Sequence, residues 1–470
     1  MQTLTPNLNS DLPVPLYRQL YSYIKNEIYG GRLSAGTKLP SLRALASSQK
    51  ISITTVGLAY NQLIVEGYIE GREKSGYYVS ISSDSLENPV YIPPYESSLD
   101  IAPETEFSYY TDPGLFDFVK WKKCLNSVIN DHSDLLIYAA SPRGEAPLRQ
   151  QIANYLYMTR GVIASPDQII IAAGTQLISN LACSILSATG RDSLAYEDPG
   201  YLPSVSVFRD RGFKINPVNI DEKGASLDEI RKIGPSVISV SPSMQFPMGT
   251  VMPISERTAL LKYAEENDCI IIEDDYAAEL RYFGRPVPPL RSLDRGERVI
   301  YLSSFSSLLF PSLKISYMVL PKRLVPFSDS VMKNYNQTCS KTEQLALATY
   351  MEKGLLHTHV KKLRKVYSQK IELAADCISE IFTDSVEIKS SDSGLNMVIG
   401  IKTEKTADFL CSLAASAGIN MIPMSDLSTT EKYRSSKDLV FYYSSIPLEK
   451  MENALRDLKK IWEEGEVFSA

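Results

Sequence analysis

The sequence predicts two folded parts: a small helical head closed by a β-hairpin, and a large α/β body built on a mainly parallel sheet. Three observations carry this. Residues 16–66 show helical spacing broken by two turns, residues 68–80 switch to short β-prone runs, and beyond about residue 107 apolar β-branched runs alternate with helical stretches. A chain of 470 residues also exceeds the ~250–300 residues that one hydrophobic core spans, so at least two domains are required.

The head is read element by element. In PLYRQLYSYIKNEIYGG, the side chains of Leu16, Leu20, Tyr23, Ile24 and Ile28 recur at three- and four-residue steps, and Gly30 and Gly31 end the helix. After Pro40, SLRALASS places Ser41 as an N-cap with Leu42, Leu45 and Ala46 inward. QKIS then makes a tight turn into a third helix, Ile53 to Glu66. GYIEGREKSGYYVS reads as two short strands around a charged, glycine-containing loop. Three helices and a hairpin make a winged helix-turn-helix over residues 1–80. Residues 81–106, rich in Ser, Pro and acidic side chains without period, read as a linker, and residues 107–470 form the body.

Composition excludes several classes. With 44% hydrophobic and 22% charged residues the chain is ordinary globular protein. No apolar run approaches the ~20 residues of a membrane span, and MQTLTPNLNSD lacks a signal-peptide pattern, so a cytoplasmic protein without a membrane partner is expected. Cys124, Cys183, Cys269, Cys339, Cys377 and Cys411 are scattered singly, as buried reduced thiols are. His132, His357 and His359 suggest no ligand set; the last two, two apart, suit a strand or loop face, and no metal is expected. Residues 1–80 carry eight Lys and Arg against five Asp and Glu, a net +3, leaving −9 on the rest. A basic head on an acidic body fits nucleic-acid binding at one end, although such a difference also arises by chance.

A helix-turn-helix reads base edges with the first turn of its second helix, here Ser52, Ile53, Thr54 and Thr55. Ser52 caps, Thr54 and Thr55 offer hydroxyl and methyl groups to phosphate or thymine, and Arg43 reaches the backbone. Lys74 and Gly76 belong to the wing, where Lys74 can enter or flank the minor groove. Each basic residue is equally compatible with a solvated surface charge, and Thr55 and Val56 with packing. The ordering of PLYRQLYSYIKNEI, LPSLRALASSQKIS and TTVGLAYNQLIVEGYIEGREKSGYYV resembles the GntR-type winged helix over nearly its whole length. Ile53 and Gly57 stand where such proteins usually carry basic residues, which reduces the charged contacts to double-stranded DNA and makes dimerisation important.

Four body segments, taken in order, resemble the fold-type-I pyridoxal phosphate (PLP) aminotransferase-like domain of MocR-type regulators. IIIAAGTQLISNLACSIL runs from a strand through Gly174, Thr175 and Gln176 into a helix whose N-terminal N–H groups can face an anion; such turns are common without a ligand. In YEDPGY the resemblance sets Tyr201 over the pyridine ring, where packing beneath a loop is the other reading. In IIIEDDYAAELRY it sets Asp274 against the pyridine nitrogen and Tyr276 on the phenolic oxygen, while capping or surface roles stay open for Glu273 and Asp275.

The fourth segment, IYLSSFSSLLFPSLKISYMVLP, bears on the chemistry. Family members read close to S-F-S-K-T-L, the lysine binding PLP covalently; here Ser304, Phe305 and Ser306 are followed by Ser307 at the lysine position. A hydroxyl cannot form an imine, so transamination as the family performs it is expected to be lost. Lys314 matches a phosphate-binding arginine, and as a point charge without a fork it weakens that role without abolishing it. Ser304 and Ser306 complete the cofactor-facing set. Met244 replaces a usual histidine, Val440 stands near the usual substrate-clamping arginine, and the nearby Arg434 does not align. The resemblance therefore implies a homodimeric transcription regulator with a degenerate, non-catalytic effector domain, an unidentified small-molecule effector, and PLP held non-covalently at best. The alternatives are a regulator that binds PLP well without a covalent bond, and an active aminotransferase.

Overall fold

The computed structural model describes residues 4–6, 8–9, 14–73, 75–81, 111–112, 114–282, 287–391 and 394–467. Lys74 and, from residue 82 on, the expected linker lie outside these. The chain divides into two compact units, residues 1–101 and 102–470.

In the first unit, helices Leu16–Tyr29, Leu42–Gln49 and Ile53–Val65 are followed by strands β1 (Ile69–Arg72) and β2 (Gly76–Val79), paired antiparallel with Ile69 opposite Val79 and Arg72 opposite Gly76. Both predicted caps form: Ser41 accepts from the Ala44 amide at 3.2 Å and Ser52 from the Thr55 amide at 3.0 Å. Satisfying one end of a helix in this way stabilises it by about 1 kcal/mol. Leu20, Ile24, Ile28, Leu45, Val56, Tyr60 and Leu63 close the core, each large aliphatic side chain contributing roughly 1.5–3 kcal/mol of apolar burial. Gly76 has φ +109°, and a Cβ there would stand 3.4 Å from the Lys38 ε-carbon, so only glycine closes the hairpin beside Lys38 without strain.

In the second unit an eight-stranded sheet comprises β3 (Ile169–Ala173), β4 (Ser193–Asp198), β5 (Lys214–Asp221), β6 (Gly224–Ala225), β7 (Val237–Val240), β8 (Ile270–Asp274), β9 (Val299–Ser304) and β10 (Ile315–Val319). Its order is β3-β10-β9-β8-β7-β4-β5-β6, parallel from β9 through β5, with β10 antiparallel to both neighbours. The apolar runs are continuous rather than alternating because both faces of the sheet are covered; Ile169, Ile170 and Ile171 pack into cores on opposite sides. A second sheet holds β11 (Val386–Ser390), β12 (Met397–Ile401), β13 (Met421–Pro423) and β14 (Asp438–Phe441), all antiparallel, in the order β11-β12-β14-β13. The mixed sheet in a body with many helices is the α/β fold expected.

One local expectation is corrected. His357 and His359 lie on the helix Leu355–Phe382, not on a strand or loop. Two residues apart, they face different ways: His357 is exposed, and His359 is buried with Nε2 2.8 Å from the Leu308 carbonyl. Five of the six cysteines are buried and the sixth is partly so, all unpaired.

Candidate functional site

In the body, the C-terminal ends of β3, β4, β7, β8 and β9 lie along one edge, where open α/β sheets bind ligands. The predicted residues gather there in two groups. In the first, β3 passes through Gly174 (φ +82°) into the helix Gly174–Ala188, whose first turn carries Thr175 and Gln176. A Cβ on Gly174 would stand 3.7 Å from the Lys314 δ-carbon, so the lysine crosses directly beside the turn. This follows from register, since Ile315 pairs with Ala173 on one side and Ser316 with Ser304 on the other. Ser304 Oγ is engaged, accepting from Ser316 Oγ at 2.9 Å and from the Ser306 amide at 3.3 Å. The hydroxyls of Ser306 and Ser307 are buried and have no hydrogen-bond partner, an arrangement that leaves each donor unsatisfied at a cost of about 1–3 kcal/mol.

The second group surrounds a cavity of about 40 Å³ lined by Tyr201, Phe246, Glu197 and Asp274 among others. That volume admits a few water molecules at roughly 10–15 Å³ each. Tyr201 is 43% exposed and meets Phe246 edge-on, with centroids 6.4 Å apart at 79°. Phe246 in turn meets Tyr276 edge-on at 5.8 Å. Burial, then the neighbouring Asp275 charge, pushes the Asp274 carboxyl up to about 7. Glu197 is pushed up to about 8, again chiefly by burial, although its Oε2 accepts from the Ser241 amide at 2.9 Å; its Oε1 is buried without a partner. Sequence reasoning missed Glu197 and Phe246. The strand-end position of Glu197 inside YEDPGY was the available signal; nothing local marked Phe246.

The acids flanking Asp274 have structural partners. Glu273 accepts from the Leu290 and Arg291 amides at 2.6 and 2.8 Å, capping the short helix Leu290–Leu293. Asp275 takes the Arg160 guanidinium at 2.8 and 2.9 Å and the Tyr301 hydroxyl at 2.6 Å. The Tyr201 loop is tied down as well: Asp198 accepts from the Thr429 amide and hydroxyl, both at 2.8 Å, and from the Ser428 hydroxyl, while the Gly200 amide donates to the Leu427 carbonyl at 2.9 Å. Met244 and Val440 are buried, and Arg434 pairs with Glu431 at 2.7 Å on the surface. Among the described residues no three His, Cys, Asp or Glu side chains converge as a metal site.

In the head, Arg43 and Thr54 are exposed, whereas Thr55 is half-buried with its hydroxyl 2.8 Å from that of Ser52. Val56 is in the core. Lys50, in the turn before the third helix at φ 53°, is also exposed, and among the described residues neither it nor Arg43 joins an ion pair. Sequence reasoning did not single out Lys50, which stands in the turn immediately before the third helix.

Residues 16–79 match the bacterial regulatory proteins of the gntR family, and residues 108–457 match aminotransferase class I and II. An archaeal alanine:glyoxylate aminotransferase structure is similar to the body with a TM-score of 0.68 at 22% identity, over 75% of this chain and 89% of that one. Fold and site thus define a class, a gntR-type helix-turn-helix head joined to an aminotransferase-like body. Among similar whole chains, the HTH-type transcriptional regulator YdeL of Bacillus subtilis is 34% identical, covering 98% of this chain and 99% of its own length. The "Probable rhizopine catabolism regulatory protein MocR" of Rhizobium meliloti is 32% identical, over 89% of this chain and 88% of its own. The chain belongs to the MocR-type transcriptional regulators.

Proposed function

We propose that this protein is a DNA-binding transcription regulator whose body senses a small ligand and holds PLP without a covalent bond. What supports this is Ser307: the resemblance places the family's lysine at this position, the hydroxyl here is buried with no partner, and a hydroxyl forms no C=N bond. PLP, when bound, supplies an electron sink to an amine attached to it; this chain offers no attachment at 307.

The donor chemistry of the sheet edge suits a phosphorylated pyridine. The first turn of the helix at Gly174, with Thr175, Gln176, Ser306 and Lys314, presents N–H, hydroxyl and ammonium groups to a phosphate. Asp274 faces a pyridinium nitrogen, which would draw its carboxyl back toward ionisation, and Tyr276 donates to the ring's oxygen. Ser304 acts through its bonds to Ser306 and Ser316. A ring does not fit the 40 Å³ cavity, so Tyr201 has to turn off Phe246 to stack on it. That rearrangement gives a ligand a structural consequence, which a sensor needs and a static site lacks.

In the head, Arg43 and Thr54 contact phosphate and base edges, while Ser52 and Thr55 position the helix; Gly76 shapes the wing that carries Lys74. Two heads on one operator require a homodimer, for which exposed apolar side chains such as Ile137, Tyr138 and Ile163 are available on the body.

The test combines absorbance and intact mass after incubation with PLP, with and without borohydride, on the wild type beside Ser307→Lys. The wild type is expected to release PLP on dialysis and show no fixed mass, whereas Ser307→Lys retains a borohydride-fixed adduct. PLP fixed to the wild type would refute the reading.

A further inference from the structure

The third helix of the head, Ile53–Val65, carries no charged residue. Val56, Ala59, Tyr60 and Leu63 form its buried side. At about 3.6 residues per turn, Ile53, Thr54, Gly57, Leu58 and Asn61 fall together on the opposite side. Ile53 and Leu58 are each 50% exposed, and Thr54 and Asn61 are exposed beside them. The first two turns of the second helix in a helix-turn-helix are where base edges are read, so the surface offered to the bases here is apolar.

Gly57 lies between Ile53 and Leu58 on that face. Its φ is outside the left-handed region, and a Cβ built on it would meet nothing within 4 Å. Neither the backbone nor the packing of the head calls for glycine there, and inside a helix glycine is less stable than alanine. The bare position lets something outside the head approach the helix backbone closely.

The cations of the head stand on other elements. Lys38 lies over the Tyr78 ring of the hairpin, Arg43 is on the second helix and Lys50 is in the turn before the third; all three are exposed and join no ion pair among the described residues. They favour a polyanion over a second, equally cationic head as the occupant of the apolar face. Among bases, guanine is read chiefly by Arg or Lys at O6 and N7, and cytosine by a carboxylate at N4. The third helix has neither group. Thymine presents a methyl group to apolar side chains, and adenine presents N6 and N7 to an amide such as that of Asn61.

We propose that the head distinguishes its operator by thymine 5-methyl groups in the major groove, with Ile53, Thr54 and Leu58 packed on them and Gly57 letting the helix seat closely, so that the half-site core consists of A·T pairs. Lys38, Arg43 and Lys50 hold phosphates and add no base preference. This rests on the reading of the chain as a DNA-binding regulator and names what that regulator recognises.

Selection of the full-length protein on a randomised duplex pool gives the half-site. Fluorescence anisotropy then compares each selected thymine with 2′-deoxyuridine, which keeps the base pair and removes only the methyl group. The expected result is a core of A·T pairs in which the uridine swap weakens binding about fourfold at a contacted thymine, as burial of one methyl group predicts. That loss should disappear in Ile53→Ala or in Leu58→Ala, both exposed positions whose variants are checked by melting. Gly57→Ala is expected to raise the Tm and yet weaken binding several-fold. A core of G·C pairs, uridine swaps without effect, a methyl effect undiminished in both alanine variants, or unchanged binding by Gly57→Ala would each overturn thymine reading while leaving a DNA-binding protein. An Ile53→Ala chain with an altered oligomeric state would also overturn it, by showing that a second copy covers the face. Failure to select any duplex would remove DNA binding itself, and thymine reading with it.

Discussion

Head and body place their charges in opposite settings. In the head, Arg43 and Lys50 stand in water, unpaired among the described residues; in the body, Glu197, Asp275 and Arg160 are buried. Charges in high dielectric act weakly, at long range and subject to salt, whereas buried charges act over one contact and are costly when unpaired. The head's charges are therefore open to salt and to a distant polyanion, and the body's to their immediate neighbours alone.

The contrast can be broken first in the body. Replacing Asp274 by Asn removes the charged partner of a pyridinium nitrogen and is expected to weaken PLP binding about 10- to 100-fold, the range of one charge-assisted hydrogen bond at ~1.5–3 kcal/mol; equilibrium dialysis measures it. An unchanged affinity would mean that the buried acids play no part in recognition.

The head should respond differently. Arg43→Ala is expected to lower affinity for a random 30-base-pair duplex a few-fold and to reduce the slope of log K against log salt by about 1. Fluorescence anisotropy across a salt series reads both. A loss of affinity with no change in slope would place Arg43 in a base contact instead of on the backbone.

The smallest effect concerns pH. Glu197 has a folded pKa of about 8, above its unfolded value, so the folded state holds the proton more tightly and stability falls as pH rises between the two values. Glu197→Gln is expected to raise the Tm by a degree or two at pH 8.5 and to leave it unchanged at pH 4. A variant less stable than the wild type at pH 8.5 would show that the fold requires the ionised carboxylate there, against a raised pKa.

The two regions also differ in how far their sequence discloses them. Head elements rest on local signals: the 3–4 spacing through Ile28, Ser41 and Ser52 three residues before the amides they cap, and a change of period at Tyr68. The body's strand-end motifs were equally local, and they gather along one sheet edge. Pairings across the chain were not legible. Arg160 with Asp275, Tyr201 against Phe246 rather than free to stack, and Asp198 with Thr429 all depend on tertiary packing that no short window encodes. His357 and His359 failed for a related reason. A spacing of two by itself suits a strand face, while the apolar period of the 28-residue helix around them decides their faces.

The clasp at Asp198 has a mechanical consequence. Three residues before Tyr201, this carboxylate grips the backbone and hydroxyls of residues 428–429, in the stretch leading from β13 to β14. If Tyr201 swings to admit a ring, the displacement is carried through that grip into the C-terminal sheet. A ligand that moved Tyr201 would in that way be felt by the stretch between β13 and β14 through hydrogen bonds to Asp198.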